Sequence, residues 1–126
     1  MVSGSCLCGA VRFQIDAALE DAVACHCTQC RKQTGHYLVS AEVPQSAVTL
    51  QGAGDLAWYH ASDKARRGFC RVCGSTLFWE PLARDQTYVA LGAIDPPSGA
   101  LLARHIFVAD KGDYYDLTDG LPQNAQ

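Results

Sequence analysis

From Ser5 to Asp16 the residues Val11, Phe13 and Ile15 alternate with Arg12, Gln14 and Asp16, the period of two that turns one face of a strand inward. Similar short runs follow. His36–Val43 closes at Pro44, Val48–Gln51 runs into Gly52-Ala53-Gly54, and Leu56–His60 ends in the polar stretch 61–64. Phe69–Cys73 leads to Gly74, the aromatic run Thr76–Glu80 stops at Pro81, and Tyr88–Leu91 and Arg104–Val108 flank the Asp95-Pro96-Pro97 breaker. Turn signals at such short intervals predict a mainly β chain of short strands. One helix is expected, Thr28–Thr34, with Thr28 as N-cap and Gly35 as its stop, and a helical turn at Gly99–Ala103. The polar tail Asp119–Gln126 is expected to be loosely held.

The chain has 126 residues, 48% of them hydrophobic, enough for one core and too few for two ordinary domains, so residues 1–126 are read as a single domain. Ten Lys and Arg against thirteen Asp and Glu leave a net charge of -3. That balance argues against nucleic acid or an acidic membrane as partner. No apolar stretch approaches the ~18 residues of a spanning helix, and Met1–Cys8 lacks the order of a signal peptide, so a cytoplasmic location is expected.

Seven cysteines then change the picture. They fall as Cys6-x-Cys8, Cys25-x-Cys27-x-x-Cys30 and Cys70-x-x-Cys73. An odd count in a chain with no mark of secretion favours metal ligation over disulfides. Residues two apart in a strand share a side, so Cys6 with Cys8, and Cys25 with Cys27, can each present two sulfurs to one atom, while Cys70 and Cys73 suit a turn beside Gly74. A structural zinc takes four ligands and a catalytic one keeps three plus an open position, and seven divides as four plus three. The simplest partition joins Cys6 and Cys8 to Cys70 and Cys73 as a staple and leaves Cys25, Cys27 and Cys30 open. Spacing also admits Cys25 and Cys27 with Cys70 and Cys73, and iron in place of zinc. A closed four-cysteine zinc contributes about 10 kcal/mol or more to folding.

The segments Cys6-Leu7-Cys8-Gly9-Ala10-Val11-Arg12-Phe13, Cys25-His26-Cys27-Thr28-Gln29-Cys30-Arg31-Lys32 and Arg67-Gly68-Phe69-Cys70-Arg71-Val72-Cys73-Gly74-Ser75 resemble the glutathione-dependent formaldehyde-activating enzyme family, also called the centromere protein V family. The stretch His105–Val108, then Lys111–Tyr115 and Asp119–Pro122, is also similar, so the resemblance spans about 5–122. It implies a β-tent fold of short antiparallel sheets stapled by zinc. It further implies a structural zinc on Cys6, Cys8, Cys70 and Cys73 and a catalytic, labile zinc on Cys25, Cys27 and Cys30. The implied activity is that of a carbon-sulfur lyase similar to S-(hydroxymethyl)glutathione synthase, joining glutathione to formaldehyde. Its implied partners are a small thiol and a small aldehyde, without nucleic acid or membrane, in a chain able to form a homodimer. The competing reading is a non-enzymatic zinc-stapled binding module.

Three thiolates on a divalent ion leave one net negative charge, a poor setting for making hydroxide and a good one for holding an incoming thiolate. Thr34, His36 and Tyr37 are candidate donors to the developing alkoxide. Arg31, with Lys32, Lys64, Arg66, Arg67 and Arg71, either clamps the carboxylates of glutathione or offsets the negative sulfur centres, and Arg31 is the named candidate for glutathione binding. His26, between Cys25 and Cys27, is expected to point away from their sulfurs. Trp58, Tyr59, Phe69, Phe78, Trp79 and Phe107 are expected to fill a core rather than line a pocket.

Overall fold

The computed structural model describes all residues, Met1–Gln126, and the chain is mainly β. Its strands are β1 (Val2–Ser5), β2 (Arg12–Ile15), β3 (Asp21–Cys25), β4 (Leu38–Pro44), β5 (Val48–Gln51), β6 (Leu56–Tyr59), β7 (Ala65–Cys70), β8 (Thr76–Pro81), β9 (Gln86–Ala90) and β10 (Leu101–Ile106), with one α-helix, α1 (Thr28–Thr34). They form a three-stranded sheet, β1-β2-β5, and a seven-stranded sheet, β10-β3-β4-β9-β8-β7-β6. Every neighbouring pair is antiparallel except β10, which runs parallel to β3.

The alternation read in the sequence becomes the core between the sheets. Val11, Phe13 and Ile15 pack with Ala41, Val43, Leu77, Phe78 and Val89, and Phe13 meets Phe78 edge-on at a centroid distance of 5.2 Å. Gly4 lets this contact form, since a Cβ there would lie 2.5 Å from the Phe13 ring. The other face of the larger sheet carries Val23, Ser40, Arg67, Trp79, Tyr88 and Ile106 and is hollow. A strand whose two faces are a core and a cavity buries apolar residues on both, so sequence alternation alone does not tell one face from the other.

Three local expectations change. Cys6 and Cys8 lie in a turn beyond β1, not in a strand; the Gly9 N–H donates to the Cys6 carbonyl at 3.2 Å and Gly9 adopts φ +81°. No helical turn forms at Gly99–Ala103, because the Leu101 N–H donates to the Glu20 carbonyl at 3.1 Å and the chain continues as β10 beside β3. The tail is tied rather than loose. His105 N–H bonds the Pro122 carbonyl, Asn124 N–H bonds the His105 carbonyl, each at 2.9 Å, and Asp119 Oδ2 lies 2.7 Å from His105 Nε2.

His26 does point away from the neighbouring sulfurs. Fully buried, it stands 2.9 Å from His105 Nδ1 and 2.8 Å from the Tyr115 hydroxyl, joining the C-terminal segment to the turn that carries Cys25 and Cys27. Burial, reinforced by His105, pushes its pKa down to about 4, because charging the ring there forfeits hydration. The ring is therefore expected to stay neutral as pH falls through 6.5 and to charge only near pH 4. Long-range proton–nitrogen NMR of the imidazole checks this, and a midpoint near 6.5 would contradict the buried pairing.

Candidate metal centres

The seven cysteines are free thiols and gather into two groups, Cys6, Cys8, Cys70 and Cys73, and Cys25, Cys27 and Cys30, with the sulfurs of each group within 4.8 Å of one another. The alternative pairing of Cys25 and Cys27 with Cys70 and Cys73 does not occur.

In the first group two similar turns face each other. The Cys70 carbonyl accepts from Gly74 N–H at 2.8 Å, as the Cys6 carbonyl does from Gly9 N–H, and Gly74 shares the φ of +81°. Backbone N–H groups aim at the sulfurs: Val11 at Cys6 Sγ, 3.3 Å, and Val72 at Cys70 Sγ, 3.4 Å. Ser75 ties the turns together, its hydroxyl accepting from Leu7 N–H at 2.9 Å and lying 3.2 Å from Cys73 Sγ. That hydroxyl holds the Cys73 thiol down to about 5. Four sulfurs about 2.3 Å from a central zinc stand about 3.8 Å apart. Cys6 and Cys8 are separated by 3.7 Å and Cys8 and Cys70 by 3.8 Å, too far for a disulfide and right for the edges of a ZnS₄ tetrahedron.

The second group sits where β3 passes into α1. Cys25 ends the strand, and Cys27, not Thr28, is the N-cap: its backbone is extended and its sulfur accepts from Cys30 N–H at 3.3 Å. The helix ends as the sequence indicates, with Gly35 at φ +86°. Cys25 hydrogen-bonds Cys27 and holds its thiol well below the usual range, while the same contact pushes Cys25 far up. Three thiolates this close cannot all ionise without a cation among them, so the donor set fits a metal such as zinc.

This group lines a cavity of about 520 Å³. Its walls carry Val23, Leu38, Trp79, Tyr88, Ile106 and Phe107, and its charges are Lys64, Arg67, Arg104 and Asp110. Trp79 and Phe107 thus line a pocket, against the core role expected for them, whereas Phe78 is core and Trp58 packs on it. None of the four charged residues is in an ion pair. Arg67 is 4% exposed, and its NH1 and NH2 each stand 3.6 Å from Cys30 Sγ.

The remaining candidates disperse. Arg66 pairs with Glu80 at 2.7 Å and Arg71 with Asp55 at 2.6 Å. Arg31 and Lys32 do not line the cavity, and Arg31 Nε is buried without a partner. Thr34, His36 and Tyr37 lie outside it too. The Thr34 hydroxyl donates to the Cys30 carbonyl at 2.7 Å, His36 Nδ1 bonds the Tyr114 hydroxyl, and Tyr37 packs against His26. Arg104 and Asp110 carry no motif, and only the strand pairing of β10 with β3 brings that stretch to the site.

The family model for the glutathione-dependent formaldehyde-activating enzyme matches residues 1–110. A Halomonas elongata protein provisionally named a glutathione-dependent formaldehyde-activating enzyme is 27% identical over 131 residues, covering 93% of this chain and 81% of that protein. The fold is similar to that of a crystallised Rhodobacter sphaeroides protein, with a TM-score of 0.63, 21% identity, and coverage of 97% of this chain and 98% of the other.

The two groups are expected to differ in what they support. Cys70→Ser opens a group that joins distant parts of the chain and should lower the thermal midpoint by on the order of 10 °C or more. Cys30→Ser should cost less than about 5 °C and keep the metal of the four-cysteine group. Calorimetry with metal counting by native mass spectrometry reads both, and equal losses would contradict the distinction.

Proposed function

The chain belongs to the glutathione-dependent formaldehyde-activating enzyme family, and from that membership we propose that it is a zinc-dependent carbon-sulfur lyase similar to S-(hydroxymethyl)glutathione synthase. The observation that carries the reading is the three-cysteine group, with no fourth cysteine, lining a cavity of about 520 Å³ whose walls hold three cations and one carboxylate, none in an ion pair. Zinc on those sulfurs would supply a fourth position that holds an incoming thiol as thiolate, the form that attacks a carbonyl carbon. The closed four-cysteine group would hold the second, structural zinc.

The chain's own residues supply the rest. Cys25 from the strand end, Cys27 from the cap and Cys30 from the first turn of α1 present their sulfurs from a rigid strand-to-helix junction. Glutathione carries two carboxylates and one ammonium, and Lys64, Arg104 and Asp110 offer the complementary charges at exposed positions on the cavity. Trp79, Phe107 and Leu38 limit water around the reacting atoms. In the forward direction the thiol proton is lost, an S–C bond forms and the carbonyl π pair moves to oxygen, which takes up a proton; cleavage reverses each step. Thr28 and Ser40 line the cavity and make no side-chain hydrogen bond that would compete for the alkoxide, whereas the Tyr88 hydroxyl already donates to Glu42 at 2.6 Å. Since thiols add to small aldehydes readily unaided, positioning is the main contribution.

Carbon-13 exchange NMR of labelled formaldehyde with glutathione tests the proposal. Zinc-loaded protein should speed exchange between hydrate and adduct, and Cys30→Ser should abolish the effect. Arg104→Ala should raise the glutathione concentration for half-maximal effect about threefold to tenfold, the size of one charge-assisted contact at a partly exposed site. Exchange that stays at the uncatalysed rate, with no glutathione bound, would return the chain to a zinc-stapled binding module.

A further inference from the structure

Arg67 sits near the middle of β7 and is one of the few charged side chains the fold buries. Burying a guanidinium is costly unless an anion meets it, and no carboxylate does. What it meets is α1. NH1 donates to Gln33 Oε1 at 2.8 Å, NH2 to Gln29 Oε1 at 3.2 Å, and both to Cys30 Sγ at 3.6 Å. Gln29 and Gln33, four apart on one helix face, hold the plane of the fork so that its two inner N–H bonds converge on the sulfur between them. Nε is buried with no partner, so the group is oriented for Cys30 at the expense of one of its own donors.

The three sulfurs are therefore unequal. Cys30 receives two charged donors and is 3% exposed, Cys27 receives one backbone N–H, and Cys25 receives no donor from outside the group. Hydrogen bonds to a thiolate stabilise its charge and so reduce its reactivity toward carbon electrophiles. A site that brings a reactive aldehyde to a cluster of thiolates must keep its own sulfurs from being consumed. We propose that Arg67 is a positioning residue that ties down and shields the Cys30 sulfur, so that an electrophile in the cavity reacts with the substrate thiol and spares the protein's own. This rests on the reading of Cys30 as a metal ligand.

Residue-resolved alkylation with limiting iodoacetamide, followed by mass spectrometry on zinc-loaded protein, tests it. In the native chain Cys30 should be the slowest of the three. In Arg67→Met its rate relative to Cys25 and Cys27 should rise about tenfold, the equivalent of one charge-assisted hydrogen bond, and Arg67→Lys should restore part of the protection. An unchanged relative rate in folded Arg67→Met, with zinc retained on the four-cysteine group, overturns the proposal alone. If Arg67→Met does not fold, the double variant Gln29→Ala, Gln33→Ala, altered at helix positions that are not buried, reads the same quantity: a faster Cys30 supports the proposal and an unchanged one overturns it. Zinc that alters the alkylation of none of Cys25, Cys27 and Cys30 in the native chain overturns the ligand reading, and the shielding role with it.

Discussion

Closely spaced thiolates repel one another unless a cation stands among them, and most of this structure is arranged around that constraint. Two groups of sulfurs lie within 4.8 Å of their own members, yet their surroundings answer the charge differently. Around Cys6, Cys8, Cys70 and Cys73 the answer is local: two glycine-closed turns aim backbone N–H groups at sulfur and Ser75 joins the turns. That closure links the segment after β1 to the end of β7, and Cys6 and Cys70 are themselves part of the core beneath. Around Cys25, Cys27 and Cys30 the answer is asymmetric, with a backbone N–H on Cys27, the Arg67 guanidinium on Cys30, and the whole group lining an open cavity.

The same asymmetry organises the larger sheet. One face packs on the three-stranded sheet through Phe13, Phe78 and Val89; the other lines the cavity beside the three-cysteine group. A small apolar cluster, Cys30, Leu38 and Ala90, seats the helix, and the buried pair His26 and His105 fastens the opposite side of the junction to the C-terminal segment. The three sulfurs are thus held from both sides of the strand while the cavity remains accessible. In a chain of net charge -3, the cavity bears three cations against one carboxylate, which offsets the negative charge of the three sulfurs on its wall.

Much of this was legible in the sequence because it is local. The three cysteine clusters and the count that divides as four plus three are read from spacing, though spacing leaves open which pairs join; α1 is read from its flanking residues, and the inward alternation into β2 from Val11, Phe13 and Ile15. What stayed hidden depends on distant pairings. Arg67 lies 37 positions from Cys30, and nothing in its neighbourhood distinguishes it from Arg66, which pairs with Glu80 instead. Arg104 and Asp110 reach the cavity only through the parallel pairing of β10 with β3. Trp79 reads as core because an aromatic in a strand reads alike whether its face is packed or hollow, whereas Phe107 lies just beyond β10 at φ 54°, where the strand-like run has already ended. Thr34, His36 and Tyr37 lie close to the sulfurs in sequence, but the Thr34 hydroxyl closes on the Cys30 carbonyl and the chain beyond α1 takes His36 and Tyr37 toward Tyr114, Tyr115 and His26.

The central claim is one closed four-sulfur site and one open three-sulfur site that accepts a thiol. Cadmium-113 NMR of cadmium-substituted protein reads both at once, since the shift follows the number and type of ligands on each ion. Two resonances are expected, one in the four-sulfur range that glutathione leaves in place and a second that glutathione moves. A single resonance, or two that both ignore glutathione, would contradict the account.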